Sequence, residues 1–481
     1  MSLPSRLPSD PKTWRSYAGG QFLPSSVDLS DANVSYAEVS APVNIAAIKY
    51  WGKRNSSLIL PTNSSLSLTL SQADLCTHTI VVVAPSSMVP SSAGDRIWLN
   101  GSERAADLDH NPRMKTVLTA IKARHHRRAV DAEKITVHVW TTNNFPTAAG
   151  LASSASGFAA LVVALAHALG VKEAFPGEYS AWARRGSGSA CRSLYGGFVK
   201  WVRGGHQEVE DGADSVAVQV CDEGNVRFCK VSASRSILAG GSSSSFETPS
   251  SSSSKNDEQS VEKKDEKLHV LVLVVHDGKK ETSSTAGMET TVQTSELMGR
   301  RAEIADARVA RMETAIATGD FNLFAELTMR DSNQFHAVAL DTYPPISYMN
   351  DTSRRVVALV SRLNAHGVAL DGEIRAAYSF DAGPNAVLFV REQHLAQVAA
   401  LVAHAFPPPA PSHPGAGEAE TEYVRTRNAE VRATFEHGAK QWATPAGWSS
   451  EEMPDRIHGL LRYIIHTVPG PGPVVYQAKF E

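Results

Sequence analysis

No CxxC pair occurs among the four cysteines, Cys76, Cys191, Cys221 and Cys229. A disulfide framework and a structural zinc cluster are therefore not written into this chain, and free thiols in a reducing compartment are expected. Two phosphate-binding signatures are also missing: no GxxxxGK[ST] occurs, and no GxGxxG follows a strand. Long apolar runs are lacking as well. The longest, Ala159 to Val171 and Leu268 to Val275, are too short to span a bilayer, and the opening MSLPSRLPSD has no apolar signal-peptide core. The C-terminal Ala-Lys-Phe-Glu lacks the peroxisomal Ser-Lys-Leu address, so a cytosolic protein without membrane insertion is expected. An excess of charge of one sign is lacking too: a net charge of −3 over 481 residues gives no pull toward nucleic acid, and the basic run Lys122 to Arg128 reads as a solvated helix face.

What is present starts with FPTAAGLASSASG, Phe145 to Gly157, followed by an apolar helix. Gly and Ala let the main chain approach a phosphate closely, and the orphan N–H groups of a helix start point at it with the positive end of the dipole. Ser153 and Ser154 sit in the first turn, where hydroxyls can meet phosphate oxygens or a magnesium ion, while Phe158, Leu161, Val162 and Leu165 pack inward. The alternative is a core helix capped by serines in the ordinary way.

The chain is long enough for two domains. Residues 1–33 are Ser- and Pro-rich and read as a loosely held extension. A first α+β domain over 34–237 carries strand patterns at Val43 to Ile48, Ser67 to Leu70, Thr79 to Val83, Ile97 to Leu99, Ile135 to Trp140 and Phe198 to Val202. Residues 238–267, with the serine run from Ser242, read as a disordered insertion. A second α+β domain, 268–481, holds a buried strand at Leu268 to Val275, helices over Glu289 to Gly319 and Asp351 to His366, and a Pro-rich loop near 407–420.

Three further segments carry candidate chemistry. APVNIAAIKYWGKR brings Asn44, Lys49, Tyr50 and Lys53 together beside a Trp51-Gly52 turn; two ammonium groups in an apolar stretch suit a diphosphate, or are exposed tips of an edge strand. GSGSACRSLYGGFVKW offers Ser and backbone donors ahead of Arg192, whose guanidinium fork can grip a carboxylate or phosphate, or simply stack on Tyr195 in a turn. Asp381 lies in SFDAGPNAVLFV between two strand patterns; it is good turn chemistry, or a proton acceptor kept ionised by a nearby Lys49.

In their order along the chain these strings, with LPTNSSLSLTLSQ, DRIWLNG, SSTAGM and MRDSNQFHAVALDTYPPISYMNDTS, closely resemble the mevalonate diphosphate decarboxylase family. That family belongs to a small-molecule kinase superfamily with galactokinase, homoserine kinase, mevalonate kinase and phosphomevalonate kinase. The resemblance runs from Val34 onward and implies a two-domain α+β fold, ribosomal protein S5-like in its N-terminal half and ferredoxin-like in its C-terminal half. It implies ATP as co-substrate, Mg2+, and conversion of mevalonate 5-diphosphate to isopentenyl diphosphate, ADP, phosphate and CO2 in isoprenoid and sterol biosynthesis, by a homodimer.

Carried over by residue, the resemblance makes Asp381 the catalytic aspartate, Lys49 its supporting lysine and Arg192 the arginine that orients substrate. Tyr50, Trp51, Gly52, Lys53, Arg96, Ser187, Gly188, Ser189, Ala190, Cys191, Arg192 and Thr285 fall at substrate-contacting positions, with Asn44 shaping the site. Ala149, Gly150, Leu151, Ser153 and Ser154 fall in the ATP-phosphate loop, Ser154 being the candidate for the metal. The extension, the serine-rich insertion and the Pro-rich loop depart from the family pattern but spare these positions.

Overall fold

The computed structural model describes residues 27–89, 94–104, 111–126, 134–145, 153–205, 212–228, 266–278, 280–409, 423–438 and 453–480. Alternating apolar residues build most of the first half into strands. β1 (Ser35–Pro42), β6 (Cys76–Pro85), β7 (Arg96–Leu99), β8 (Ser102–Glu103) and β9 (Ile135–Asn143) share a six-stranded sheet with β17 (Val474–Lys479), in the order β17-β1-β6-β9-β7-β8. Onto it packs α2 (Ser153–Ala168), whose small Ala159, Ala160 and Ala164 are buried and let the helix approach β1 and β6 closely. Helices α1 (Pro112–His126) and α3 (Glu178–Gly186) lie alongside, α1 opening on a proline at its first position, where no N–H partner is lost.

A four-stranded sheet, β11-β10-β5-β2, joins β2 (Asn44–Ile48), β5 (Ser65–Thr69), β10 (Phe198–Trp201) and β11 (Ala217–Cys221). The small pair β3 (Lys53–Asn55) and β4 (Leu60–Pro61) lies beyond β2. The second half centres on a five-stranded sheet of order β13-β14-β12-β16-β15, with β12 (Leu268–Val274) between β14 (Ala386–Arg391) and β16 (Tyr463–Thr467), and β13 (Ala376–Phe380) and β15 (Val424–Arg425) at its edges. Helices α4 (Ser284–Thr294), α5 (Met298–Thr318), α6 (Phe321–Leu340), α7 (Asp351–Asp371), α8 (Glu392–Ala405) and α9 (Ala429–Gly438) complete it.

The two halves share one core. Phe198 of β10 meets Phe324 of α6 with ring centroids 5.6 Å apart, and Phe228 packs against both, so burial on one side requires the other.

Three sequence expectations change in detail. The single helix expected over Glu289 to Gly319 is two, α4 and α5, because the Asp341 carboxylate accepts from Ser295 Oγ at 2.7 Å and from the Leu297 N–H at 3.2 Å, polar bonds that break the ladder there. The tail of the expected second domain returns to the first, where β17 pairs antiparallel with β1. The expected extension is structured from Val27, which is buried with Val34, Trp98 and Trp140. Most of the serine-rich insertion and of the Pro-rich loop lies outside the described residues.

Candidate active site

A cavity of about 500 Å3 opens between the two halves, and each wall is the end of an element. The end of β2 delivers Lys49, Tyr50 and Trp51; the first turn of α1 delivers Arg113; α2 begins with Ser153 and Ser154. The 3-10 turn Gly188–Leu194 delivers Ser189 and Arg192, α4 begins with Ser284 and Thr285, and the β13–β14 turn delivers Asp381. Among the described residues of this lining, Lys49, Lys53, Arg113, Arg192 and Lys280 face a single carboxylate, Asp381. Such an imbalance in a half-enclosed space calls for a polyanion.

Lys49 Nζ donates to Asp381 Oδ1 at 2.5 Å and to the Ala46 carbonyl at 2.8 Å. Its side chain is 4% exposed and that of Asp381 is 35%, so the ammonium is packed away while the carboxylate still reaches the cavity. Burial holds His336 down to about 4, reinforced by the Lys49 charge, so the imidazole beside the pair is neutral at pH 7.

Arg192 donates from Nε to Ser67 Oγ at 2.9 Å and from Nη1 to Ser65 Oγ at 2.6 Å, which orients the guanidinium and leaves Nη2 for a ligand. Burial presses Arg192 and Lys280 below their ordinary ranges, and burial together with the Arg113 charge does the same to Lys53. A bound anion relieves all three. Tyr50 leans on Trp201, with ring centroids 4.6 Å apart, and its hydroxyl is buried without a partner among the described residues; burial pushes the phenol well above its ordinary value, so it stays a neutral donor. Asn44 donates to the Ser189 carbonyl at 3.1 Å and to Ser193 Oγ at 2.8 Å, fastening the 3-10 turn, while its Oδ1 also has no partner among the described residues.

The remaining positions fall around this centre. Trp51 Nε1 donates to Thr291 Oγ1 at 3.1 Å and its ring meets Phe335 edge-on. Gly52 has φ +88°, and a Cβ there would stand 2.7 Å from the Met298 side chain, so only glycine fits. Ser154 and Ser187 place their hydroxyl oxygens 3.1 Å apart. Ala190 and Cys191 are buried behind the lining; burial pushes the Cys191 thiol up to about 12, which removes it as a nucleophile.

Arg96 is not part of the cavity lining. It forms a two-point ion pair with Glu103, with distances of 2.6 and 2.7 Å, and stacks over Trp98. Arg113 does line the cavity, its Nη2 donating to Thr285 Oγ1 at 2.9 Å. Ala149, Gly150 and Leu151 lie outside the described residues.

Arg113 and Lys280 are lining cations that motif reading missed. Arg113 sits one residue after a helix-opening Pro112, a detectable start signal, but nothing local says which way it points. Lys280 lies just past β12 in HDGKKETSS, where the chain must turn.

A family model for the mevalonate 5-diphosphate decarboxylase C-terminal domain matches residues 270–476, and one for the diphosphomevalonate decarboxylase-like N-terminal domain matches residues 41–217. The chain belongs to the diphosphomevalonate decarboxylase family. The diphosphomevalonate decarboxylase of Rattus norvegicus is 43% identical over 445 residues, covering 91% of this chain and 92% of the rat protein. That of Homo sapiens is 41% identical over 455 residues, 93% of this chain and 95% of its own. Among solved structures, mevalonate diphosphate decarboxylase from Trypanosoma brucei aligns with TM-score 0.70 at 30% identity, covering 92% of this chain and 97% of the other. MDDEF in complex with MVAPP, AMPPCP and magnesium aligns with TM-score 0.60 at 26% identity, over 92% and 99% of the two chains. The cavity described above is thus set in a decarboxylase-family fold that spans almost the entire described chain.

Proposed function

We infer that this cavity carries out the family reaction, ATP-dependent decarboxylation of mevalonate 5-diphosphate to isopentenyl diphosphate, with Asp381 and Lys49 as the reacting pair. The observation that carries the assignment is the contact of a buried ammonium with a half-exposed carboxylate amid four further cations. The Asp381 carboxylate accepts the proton of the substrate's tertiary 3-hydroxyl as that oxygen attacks the γ-phosphorus of ATP. Lys49 fixes the carboxylate and neutralises charge in the transition state, in keeping with a reaction that depends on positioning and electrostatics.

Phosphorylation turns the 3-oxygen into a leaving group. The C–O bond to the tertiary carbon breaks, phosphate departs with that electron pair, and the carboxylate C–C bond supplies electrons to the new alkene as CO2 leaves. Lys53, Arg113 and the Ser187–Ser189 stretch suit the diphosphate end, and Arg192 the carboxylate that is lost. Ser153 and Ser154, at the start of α2, suit the ATP phosphates. The Ser154 hydroxyl is a hard oxygen donor fitted to magnesium, which would supply charge neutralisation on those phosphates when bound.

The test is a coupled assay with mevalonate 5-diphosphate, ATP and magnesium, following ADP and labelled CO2 together. Equal release of both supports the reading. ADP without CO2 makes the protein a kinase only, and release of neither makes it a binding protein. Light scattering on the purified protein tests the homodimer expected from the family.

A further inference from the structure

We propose that two consecutive residues of α6, Asp331 and Ser332, position the Lys49–Asp381 pair, each holding the main chain of one partner. Successive helix residues point about 100° apart, so one step of helix can address two neighbouring chains. Asp331 Oδ2 accepts from the backbone N–H of Lys49 at 2.7 Å. Ser332 Oγ accepts from the backbone N–H of Phe380, the residue before Asp381, at 3.0 Å. Both side chains are fully buried.

The Lys49 end is clamped on both sides of its peptide. Arg301 of α5 donates from Nη1 and Nη2 to the two Asp331 oxygens at 3.2 and 3.1 Å, and Nη2 also reaches the Lys49 carbonyl at 3.1 Å. Asn63 Nδ2 donates to that same carbonyl at 3.1 Å. Arg308 adds a donor to Asp331 Oδ1 at 3.1 Å. The Asp331 carboxylate is therefore fully occupied by the Lys49 N–H and two guanidinium groups, and Asp331 itself is not among the cavity-lining residues.

The Asp381 end is tied in the same manner. Ser379 Oγ donates to the Ala46 carbonyl at 3.1 Å, the same oxygen that Lys49 Nζ uses at 2.8 Å. The two partners thus reach their ion pair from different domains, yet both are referred to one rigid helix. Asp331 and Ser332 are positioning residues, because they act through main chain and touch neither reacting atom.

This proposal rests on Lys49 and Asp381 being the reacting pair, and the experiment separates the two questions. Ser332→Ala, Ser332→Thr, Asp331→Asn and Asp381→Asn are assayed for kcat, KM and melting temperature. Ser332→Ala is expected to lower kcat at least about tenfold, since small misplacements at a reacting centre carry large rate penalties, with KM within about twofold. Ser332→Thr, which keeps the hydroxyl, restores most of kcat. Asp331→Asn is expected to lower kcat further; should it fail to fold, the serine pair decides alone. Unchanged kcat in Ser332→Ala alongside an inactive Asp381→Asn overturns the positioning role. So does a parallel loss of kcat, KM and melting temperature that threonine does not repair. An active Asp381→Asn overturns the underlying assignment instead.

Discussion

Arg113 Nη2 donates to Thr285 Oγ1 at 2.9 Å, joining the first turn of α1 to the first turn of α4 and bridging the two halves at the cavity. The same guanidinium depresses Lys53, after burial itself, so the two cations are held together against their repulsion. Arg113→Gln is expected to raise KM for mevalonate 5-diphosphate about tenfold with a smaller change in kcat, the signature of a lost ground-state contact worth ~1.5 kcal/mol. Steady-state kinetics check it, and an unchanged KM would leave Arg113 a structural strut.

Tyr50 carries a buried hydroxyl with no hydrogen-bond partner among the described residues. Tyr50→Phe removes that group, so the ligand-free protein should melt at the same or a higher temperature, an unpaired buried donor costing about 1–3 kcal/mol. Stabilisation by mevalonate 5-diphosphate should shrink in the same variant. Differential scanning fluorimetry with and without ligand reads both, and an unaltered ligand shift would exclude the hydroxyl from binding.

Asp381→Asn keeps the shape of the turn and removes the proton acceptor. A loss of kcat of roughly 10³-fold, within the range for removing a general base, is expected with substrate affinity nearly retained. Turnover combined with isothermal titration makes the comparison; substantial residual activity would refute the proton-accepting role.

Acid should destabilise the fold through its buried imidazoles. Burial holds His336 and His466 down to about 4, against an ordinary value of 6.5. Between pH 6.5 and 4 the unfolded chain therefore binds protons that the folded chain refuses, so stability falls as pH falls through this window and is level above it. Melting temperatures from pH 8 to 4.5 should show that slope, and His336→Gln should make it shallower, His466 still contributing. An identical slope in the variant would show that His336 contributes nothing to it.

Lys49, Tyr50, Arg192 and Asp381 are legible through the resemblance of whole motif strings rather than through local chemistry, which by itself reads Asp-Ala-Gly-Pro-Asn as a turn and the lysine pair as the tips of a strand; the fold brings all four to one cavity. What local pattern does not encode is direction. Arg96 lies in a recognisable strand, yet its neighbour Glu103 on β8 captures it, whereas Arg113 opens an unremarkable helix and reaches Thr285 on another domain. The Asp331–Ser332 step was similarly hidden, since its partners are a lysine N–H and a phenylalanine N–H, groups every residue possesses. The division of α4 from α5 has no local signal, because Asp341, which breaks the helix, lies far along the chain.

The pairing of β17 with β1, Tyr36 opposite Lys479, sets a schedule for biosynthesis. β1 is made early and exposes an unpaired edge until the ribosome has passed residue 479, and translation proceeds at only about 5–20 residues per second. Throughout that interval the nascent sheet presents a free row of amides and carbonyls, the kind of surface that recruits foreign strands. The closing segment thus acts as a latch on the first domain, and a fusion that hinders it would be felt first as poor yield of soluble protein.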